Sequence, residues 1–457
     1  MAYENRGGHA TQPKNSDLMQ IKQKAIASIP QKAIKDKKKI VKAMPKQSLT
    51  KKSAFEKYVN EGLLALTEWS PGKAKVTKPV AQVIDMFCGC GGMSLGFAAL
   101  AKANGAFRLI GGIDINEVSL KTYEHNYGVP AKKVDVRTLA ESKEALNAYL
   151  KSLPEYNSKV PKILIGCAPC QGFTAHRKKN WDQPDSRNGL VEAFADVAVS
   201  MMPDCVIMEN VPELLSGRYW KHFEYLRDRL VEAGYTVKQE IPSAAEYGAP
   251  QERFRALVIA MKTDFSMPKA RLTRDKFVTV KEAIFDLPPV RAGEQSSVDV
   301  MHKSATHRAS TIEVIKAVPV NGGSRPNGVG PKCLQDFKGF ADVYGRLAWD
   351  RPSITITHYA RNPASGRFVH PEQNRGLTMR EAARLQSFPD GFEFVGGFDD
   401  VFRQIGEAVP PMLSLSVAAA TLAAFGGEID SHHEKLISKP VNDSFAGVIA
   451  GIKGARR

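Results

Sequence analysis

The sequence lacks several features that define common classes of protein. Its 457 residues include only six cysteines, too few for a disulfide-built scaffold and typical of a reducing compartment. No apolar run reaches the roughly 18 residues that a membrane-spanning helix needs, and the N-terminus carries no apolar segment of a secretory signal. Internal repeats are also missing. We therefore expect a cytoplasmic protein that is neither secreted nor membrane-bound.

Positive charge is concentrated at one end of the chain. Of the net charge of +16, residues 1–80 contribute 17 Lys and Arg against 6 Asp and Glu, whereas the other residues are nearly balanced at 47 against 42. Arg6 is the only arginine in this basic arm, which favours diffuse attraction to phosphates over reading of bases. Contact with nucleic acid and a solvated, disordered extension are both compatible with the pattern.

Strands and helices alternate after residue 80. Ala81–Phe87 is a predicted strand, followed by a glycine turn (CGCGG, 88–92) and a predicted helix, Met93–Asn104. This order suits a nucleotide-like cofactor, because glycines let the backbone approach a ligand at a helix N-terminus. The spacing G-x-G-G differs from G-x-G-x-x-G, so a pyrophosphate site is not indicated.

The next two predicted strands also end in acidic residues. Asp114 follows a strand over 108–113, and Asp135 lies in a short strand over 133–136. Acidic side chains in these positions can hold ribose hydroxyls and complete an adenosine pocket. An ordinary α/β core with polar strand ends is the alternative.

A fourth strand leads to a candidate nucleophile. In K-I-L-I-G-C-A-P-C-Q-G-F (162–173), the apolar run ends in a loop that presents Cys170 next to the rigid Pro169. A cationic segment (176–179) follows, and positive charge lowers a thiol pKa; a small buried cysteine is the alternative. The fifth strand, 204–208, delivers Glu209 to the same edge.

The rest of the chain combines a strand pair, an irregular region and two helices. The strands, 235–241 and 254–261, are joined by a loop holding Arg253 and Arg255, which we expect on one face. Residues 263–345 show little periodicity. Helices follow over 377–386, with Thr378 and Glu381 as a capping box, and from about 411 to 425. The pattern predicts an α/β fold with a doubly wound, mostly parallel sheet and a smaller loop-rich domain.

Seven motifs in order resemble those of the DNA (cytosine-5)-methyltransferase family. D-M-F-C-G-C-G-G resembles its cofactor loop, A-P-C-Q its nucleophile loop and D-S-R-N-G-L the segment after it. E-N-V, Q-E-R-F-R, R-E-A-A-R-L-Q-S-F-P-D and Q-I-G-E-A-V-P-P match later motifs. They cover about 81–262 and 346–425. The chain departs from the family at Glu407, where many members have Asn, and at Cys167-Ala168, where Gly-Pro is common.

The resemblance implies a class I, Rossmann-like methyltransferase that moves a methyl group from S-adenosylmethionine to C5 of a flipped-out cytosine in duplex DNA, releasing S-adenosylhomocysteine. The implied catalytic residues are Cys170, Glu209, Arg253 and Arg255. The implied cofactor residues are Phe87, Gly89, Gly91, Asp114, Ile115, Asp135, Val136, Pro169, Gln171, Glu407, Ala408 and Val409. The implied DNA contacts are His176, Arg177, Lys178, Lys179 and Arg187.

The same resemblance suggests how the chain is divided and what it works with. We expect a basic N-terminal extension (1–80), a catalytic and cofactor-binding domain (81–262), a target-recognition domain (263–399), a returning C-terminal helix (400–426) and a tail (427–457). The expected protein is a monomer, associated with the nucleoid if prokaryotic, with a cognate restriction endonuclease as a further candidate partner and no metal.

Three alternatives stay open at this point. The cysteines at 88, 90, 167 and 170 could bind Zn²⁺, or the C-x-x-C could be a redox dithiol. The same chemistry could act on tRNA, as it does in one branch of the family. A non-catalytic DNA-binding relative is the third.

Overall fold

The computed structural model describes residues 53–169, 189–335 and 342–442. These residues belong to one compact unit, Ser53–Arg457. The strands are β1 (Ala81–Met86), β2 (Phe107–Asp114), β3 (Ala131–Lys133), β4 (Lys162–Gly166), β5 (Cys205–Asn210), β6 (Thr236–Glu240), β7 (Gln251–Glu252), β8 (Ala256–Met261) and β9 (Ser353–Ile354).

Helices precede, separate and follow these strands. They are α1 (Ala54–Thr67), α2 (Gly92–Asn104), α3 (Glu117–Tyr127), α4 (Val136–Glu141), α5 (Lys143–Lys151), α6 (Leu190–Met201), α7 (Trp220–Glu232), α8 (Val280–Ile284), α9 (Ala309–Ala317), α10 (Lys332–Gln335), α11 (Met379–Leu385), α12 (Phe398–Glu407) and α13 (Pro411–Phe425). No single described helix is long and apolar enough to cross a membrane; α12 and α13 reach that length only as a pair bent by 41°.

A seven-stranded sheet, in the order β3-β2-β1-β4-β5-β8-β6, forms the centre of the fold. The first five strands in this order are parallel, and β8 runs antiparallel to both β5 and β6. Since parallel strands place their carboxyl ends at one edge, the segments after β1, β2, β4 and β5 converge there. The predicted doubly wound, mostly parallel sheet is confirmed.

Alternating side chains bury both faces of this sheet. On β4, Ile163 and Ile165 join one core while Leu164 joins the other, and on β5 Ile207 and Val206 divide in the same way. Helices therefore have to cover both faces, which is why these strands are almost continuously apolar. One face packs against α1, α2 and α13, and the other against α4 to α7.

Two segments that the sequence placed outside the catalytic domain contact it closely. Helix α1 lies within the predicted basic extension, yet it packs against α2 and α13. At the other end, the predicted tail pairs with the edge strand β6: the Ile437 amide donates to the Gln239 carbonyl over 3.0 Å, and Lys238 contacts Glu434 at 2.9 Å. This edge is therefore covered by the chain's own C-terminal segment, and unpaired edges are what proteins need to protect.

The third strand was predicted over 133–136, but it begins two residues earlier and ends three residues earlier. The strand is Ala131–Lys133, and Asp135 lies beyond it as the N-cap of α4, where its carboxylate accepts from the Arg137 amide. The sequence placed Asp135 inside the strand, but N-capping by Asp135 begins a helix instead.

The region after β8 is poor in regular structure, as predicted. Over the described residues 263–335 and 342–352, the only helices are α8, α9, α10 and one 3₁₀ turn. A small apolar cluster of Ile315, Val318, Tyr344 and Val369 forms its own centre. A buried arginine also holds loops of this region together. The Arg346 guanidinium donates to the carbonyls of Ile315, Val318, His370 and Gln373.

Candidate active site

The carboxyl edge of the sheet collects the residues that the sequence singled out. The amide of Cys88, after β1, donates to the Ile113 carbonyl in β2, and that of Cys167, after β4, donates to the Met86 carbonyl. The predicted nucleophile Cys170 lies outside the described residues, as do Gln171, His176, Arg177, Lys178, Lys179 and Arg187. The structure therefore defines the base of the nucleophile loop up to Pro169.

Glu209, at the end of β5, forms an ion pair with Arg255. Arg255 Nε lies 2.9 Å from Glu209 Oε1, and both side chains are largely buried. Burial raises the pKa of the Glu209 carboxyl above its ordinary value, and the positive charge of Arg255 opposes this effect. Burial is the larger influence, so the carboxyl takes up a proton more readily than a carboxyl in water.

Arg253 joins the catalytic strands to the C-terminal part of the chain. Its guanidinium is buried and donates to the carbonyls of Ile356, over 2.8 Å, and Gly406, over 3.1 Å. The sequence predicted the two arginines on one face, and the positive charges of both lower the pKa of Glu209. Strand β7 ends at Glu252 and β8 begins at Ala256, and between the two arginines Phe254 forms an isolated antiparallel bridge with Ser243.

The glycine turn after β1 has the backbone conformation that a ligand cradle requires. Gly89 and Gly91 have φ values of 50° and 94°, and Phe87 also has a positive φ. A Cβ on Gly91 would lie 2.7 Å from the Tyr127 hydroxyl oxygen, whereas a Cβ on Gly89 would meet no atom within 4 Å. The turn is therefore tightly packed on its inner side and open at Gly89.

Asp114 fixes this turn to the end of β2. Its two carboxylate oxygens accept from the amides of Gly89, over 2.9 Å, and Asn116, over 2.8 Å. Burial raises the pKa of the Asp114 carboxyl. The neighbouring Ile115 is 67% exposed, and an exposed apolar side chain beside an open cradle offers a surface for a flat ring.

The segment after α12 forms a further wall beside the glycine turn. A Cβ on Gly92 would lie 3.0 Å from Ala408 Cβ and 3.1 Å from the Val409 nitrogen, so the two segments are in direct contact. Glu407 precedes them, and burial raises the pKa of its carboxyl to about 7, with the charge of Arg403 lowering it and that of Asp114 raising it. The structure thus brings the predicted cofactor residues 87–91, 114–115 and 407–409 together.

Asp135 and Val136 are placed differently. The Asp135 carboxylate is held by Arg137, whose Nε lies 3.0 Å from Oδ1, and this pair lowers the Asp135 pKa. Val136 is buried. Asp135 therefore begins a helix and forms a local ion pair, and a ligand at this position would have to share its carboxylate with Arg137.

Three polar residues that sequence reasoning missed connect the parts of the site. Asn210 Nδ2 donates to the Ala168 carbonyl over 3.2 Å, tying β5 to the base of the nucleophile loop. Gln386 Nε2 donates to the carbonyls of Ile405 and Ala408, and Gln251 donates to Gln386. Asn210 follows Glu209 directly and was recognisable from the sequence, whereas the Gln251–Gln386 contact joins residues 135 positions apart.

A fully buried carboxyl lies beneath the glycine turn. Ser94 Oγ donates to Asp85 Oδ2 over 2.6 Å and lies 2.9 Å from the Tyr123 hydroxyl. Burial raises the Asp85 pKa to about 7. Among the described residues, no group of three or more His, Cys, Asp or Glu side chains is arranged to hold a metal ion.

These features fit a cationic nucleoside such as S-adenosylmethionine. They are the open cradle at Gly89, the exposed Ile115, and the carboxylates of Asp114, which fixes the backbone, and Glu407. The cradle lacks the phosphate-binding spacing, and the sulfonium donor carries no phosphate. These features do not identify the methyl acceptor.

Comparison with known proteins supplies the acceptor. The family model for C-5 cytosine-specific DNA methylases matches residues 81–422. Type II methyltransferase M1.HphI of Haemophilus parahaemolyticus is 33% identical over 343 residues, covering 74% of this chain and 86% of that protein. Type II methylase M.HgiDII of Herpetosiphon aurantiacus is 32% identical over 350 residues, covering 74% and 94%.

A solved structure agrees with these relatives in fold. A protein described as a prophage-encoded DNA modification methyltransferase of E. coli aligns with a TM-score of 0.58 and 24% identity, covering 76% of this chain and all of that one. The sheet, the glycine turn and the family match over most of its length lead to one conclusion. The chain belongs to the C-5 cytosine-specific DNA methylase family and is a DNA (cytosine-5)-methyltransferase.

Proposed function

We propose that the protein methylates C5 of a cytosine flipped out of a specific duplex DNA sequence, through a covalent bond between Cys170 and C6. The observation that carries the proposal is the Glu209–Arg255 pair, 2.9 Å apart and buried at the sheet edge from which the nucleophile loop leaves. The described loop residues, 167–169, are tied to the same strand through Asn210.

Nucleophilic attack at C6 is needed because C5 of cytosine is a weak nucleophile. Addition of the Cys170 thiolate to C6 makes C5 enamine-like, provided that electron density is accepted at N3. A protonated Glu209 carboxyl can donate to N3, and its raised pKa favours the protonated form. Arg255 holds that carboxyl in place and can also contact the cytosine O2 region.

S-adenosylmethionine would supply the methyl group. The residues that would hold it are Phe87, Gly89, Gly91, Asp114, Ile115, Pro169, Gln171 and residues 407–409, with Asp135 and Val136 as further contacts. Arg253 is assigned a positioning role, since its guanidinium is hydrogen-bonded to two carbonyls. After methyl transfer, the C5 proton leaves and the Cys170 sulfur is released from C6.

The target base has to leave the duplex, because a stacked cytosine does not expose C5 and C6 to both ligands. We assign recognition of the surrounding sequence to residues 263–399, where buried arginines hold loops in fixed positions. Arg375 and Glu381, for example, form a fully buried pair at 2.7 Å. The cationic residues at 176–179 and 187 would contact phosphates, which positions DNA without reading it.

The test is transfer of tritiated methyl groups to duplex DNA, with tRNA as the competing acceptor. We expect transfer to DNA only, lost in Cys170→Ser and unchanged in the matched control Cys333→Ser, which alters an exposed cysteine. Duplexes containing 5-fluorocytosine should form a denaturation-resistant adduct with the wild type, because fluorine cannot leave C5 as a proton does. Turnover by Cys170→Ser, or transfer to tRNA alone, would refute the proposal.

A further inference from the structure

Glu407 is the last residue of α12, and its backbone is fixed against the catalytic domain. A Cβ on the preceding Gly406 would lie 2.6 Å from His358 Cα, and the following Ala408 and Val409 contact Gly92. The Glu407 side chain reaches solvent, although the surrounding protein removes enough water from its carboxyl to raise the pKa to about 7. A rigid helix end thus presents a carboxylate beside the open cradle.

Among the described residues, charged groups act on Glu407 without forming a hydrogen bond or ion pair with its carboxylate. Across the described residues, no hydrogen bond or ion pair reaches its carboxylate, whereas Asp114 uses both oxygens on backbone amides. The titratable and charged groups that act on Glu407 are Arg403, one turn earlier on α12, and Asp114 at the end of β2. Cys90, in the glycine turn, experiences the charges of both Glu407 and Asp114.

The ligands of this pocket differ in charge before and after the reaction. Methyl transfer breaks the S–CH₃ bond, leaves its electron pair on sulfur and forms the C5–CH₃ bond, so a sulfonium becomes a neutral thioether. Both ligands also carry an α-amino and an α-carboxylate group, and substitution of Glu407 does not alter how these groups ionise in the free ligands. A negative side chain near the sulfur therefore attracts the donor more strongly than the product, and an amide does not.

We propose that Glu407 makes the cofactor pocket selective for the cationic methyl donor over the neutral product, and thereby limits product inhibition. The inference rests on the proposed cofactor site and concerns a position where many family members have Asn. The inference also predicts that the selectivity for the donor over the product depends on pH. The Glu407 pKa is raised to about 7, so the carboxyl is largely charged, and selective, above that pH and largely neutral below it.

The test is calorimetric binding of each ligand to the full-length protein without DNA, at pH 6 and pH 8. For the wild type, we expect the ratio of the two dissociation constants, product over donor, to be about fivefold larger at pH 8 than at pH 6, from Coulomb attraction at intermediate dielectric. At pH 8, the ratio for Glu407→Gln and Glu407→Asn should be about fivefold smaller than the wild-type ratio. Glu313→Gln removes an exposed carboxylate that pairs with Lys316 on α9 and should behave as the wild type.

The outcomes separate this inference from the proposed function. The inference would be supported if donor binding near pH 7 released a proton from the wild type but not from Glu407→Gln. If both Glu407 variants keep the wild-type ratio at pH 8, the inference is wrong while the cofactor site stands. If the wild type binds neither ligand, the proposed cofactor site itself fails.

Discussion

Replacement of Gly96 by Ala tests how the C-terminal helix is joined to the cofactor domain. Gly96 lies in α2, where a Cβ would approach Leu415 Cα in α13 to 2.5 Å. Carbon atoms prefer separations of about 3.5–4.0 Å, so the two helices would have to move apart by about 1 Å. The atoms that would have to move belong to helix backbone and cannot rotate away, unlike the end of a side chain.

The expected cost combines three contributions. Overpacking of a filled core costs about 1–3 kcal/mol. Separation of the helices also weakens the bond from the Gly96 amide to Ser414 Oγ, worth about 1 kcal/mol. Against these, Ala is favoured over Gly in a helix by about 1 kcal/mol. We therefore expect Gly96→Ala to lower the free energy of unfolding by about 2 kcal/mol.

Gly62→Ala is the matched control. Gly62 lies in α1 and faces the same residue, but its Cβ would meet the methyl groups of Leu415, which can change rotamer. It should stay within about 1 kcal/mol of the wild type. The comparison is made by urea unfolding followed by circular dichroism, with both variants prepared and measured in parallel. A Gly96→Ala midpoint at or above that of Gly62→Ala would show that the helices are not in backbone contact.

Two further changes address buried ion pairs. Arg255→Met removes the guanidinium 2.9 Å from Glu209 and should lower methyl transfer at pH 7.5 at least about 100-fold without changing cofactor affinity; activity within twofold of wild type would contradict this. Glu381→Gln leaves Arg375 buried without its carboxylate and should cost about 3–5 kcal/mol at pH 7. The pKa of Glu381 in the folded protein is lowered to about 2, so its ion pair stabilises the fold above pH 4.5 and this contribution is lost as the pH falls towards 2. Between these pH values, the free energy of unfolding should therefore fall less steeply in the variant than in the wild type.

Features set by neighbouring residues were predictable from the sequence. The apolar strands, the glycine turn at 88–92 and the capping box of Thr378 with Glu381 each depend on contacts within a few positions, and all three appear in the structure. The alternation of strands and helices along the chain also indicates that the strands lie side by side in a mostly parallel sheet. For the same reason, the acidic ends of β2 and β5 could be placed at one edge of the sheet.

Features set by distant contacts were not predictable. Nothing near Arg253 indicates that it donates to the carbonyls of residues 356 and 406, more than 100 positions away. Helix α1 has an amphipathic pattern, yet the pattern does not state which helices cover its apolar side. The segment 428–442 has few apolar residues, and its attachment to β6 depends on backbone hydrogen bonds and the Lys238–Glu434 pair, for which periodicity gives no signal.

The same long-range contacts connect the two halves of the active site. Arg253 holds the Gly406 carbonyl, next to Glu407 in the cofactor wall. Two residues further along the chain, Arg255 holds Glu209, the proposed acid. The 406–409 segment is therefore linked to Glu209 through three residues, 253–255, with a guanidinium contact at each end and the Phe254 bridge to Ser243 between them. Since the methyl donor and the cytosine must meet with their reacting atoms aligned, we expect this short link to limit the relative movement of the two proposed binding sites.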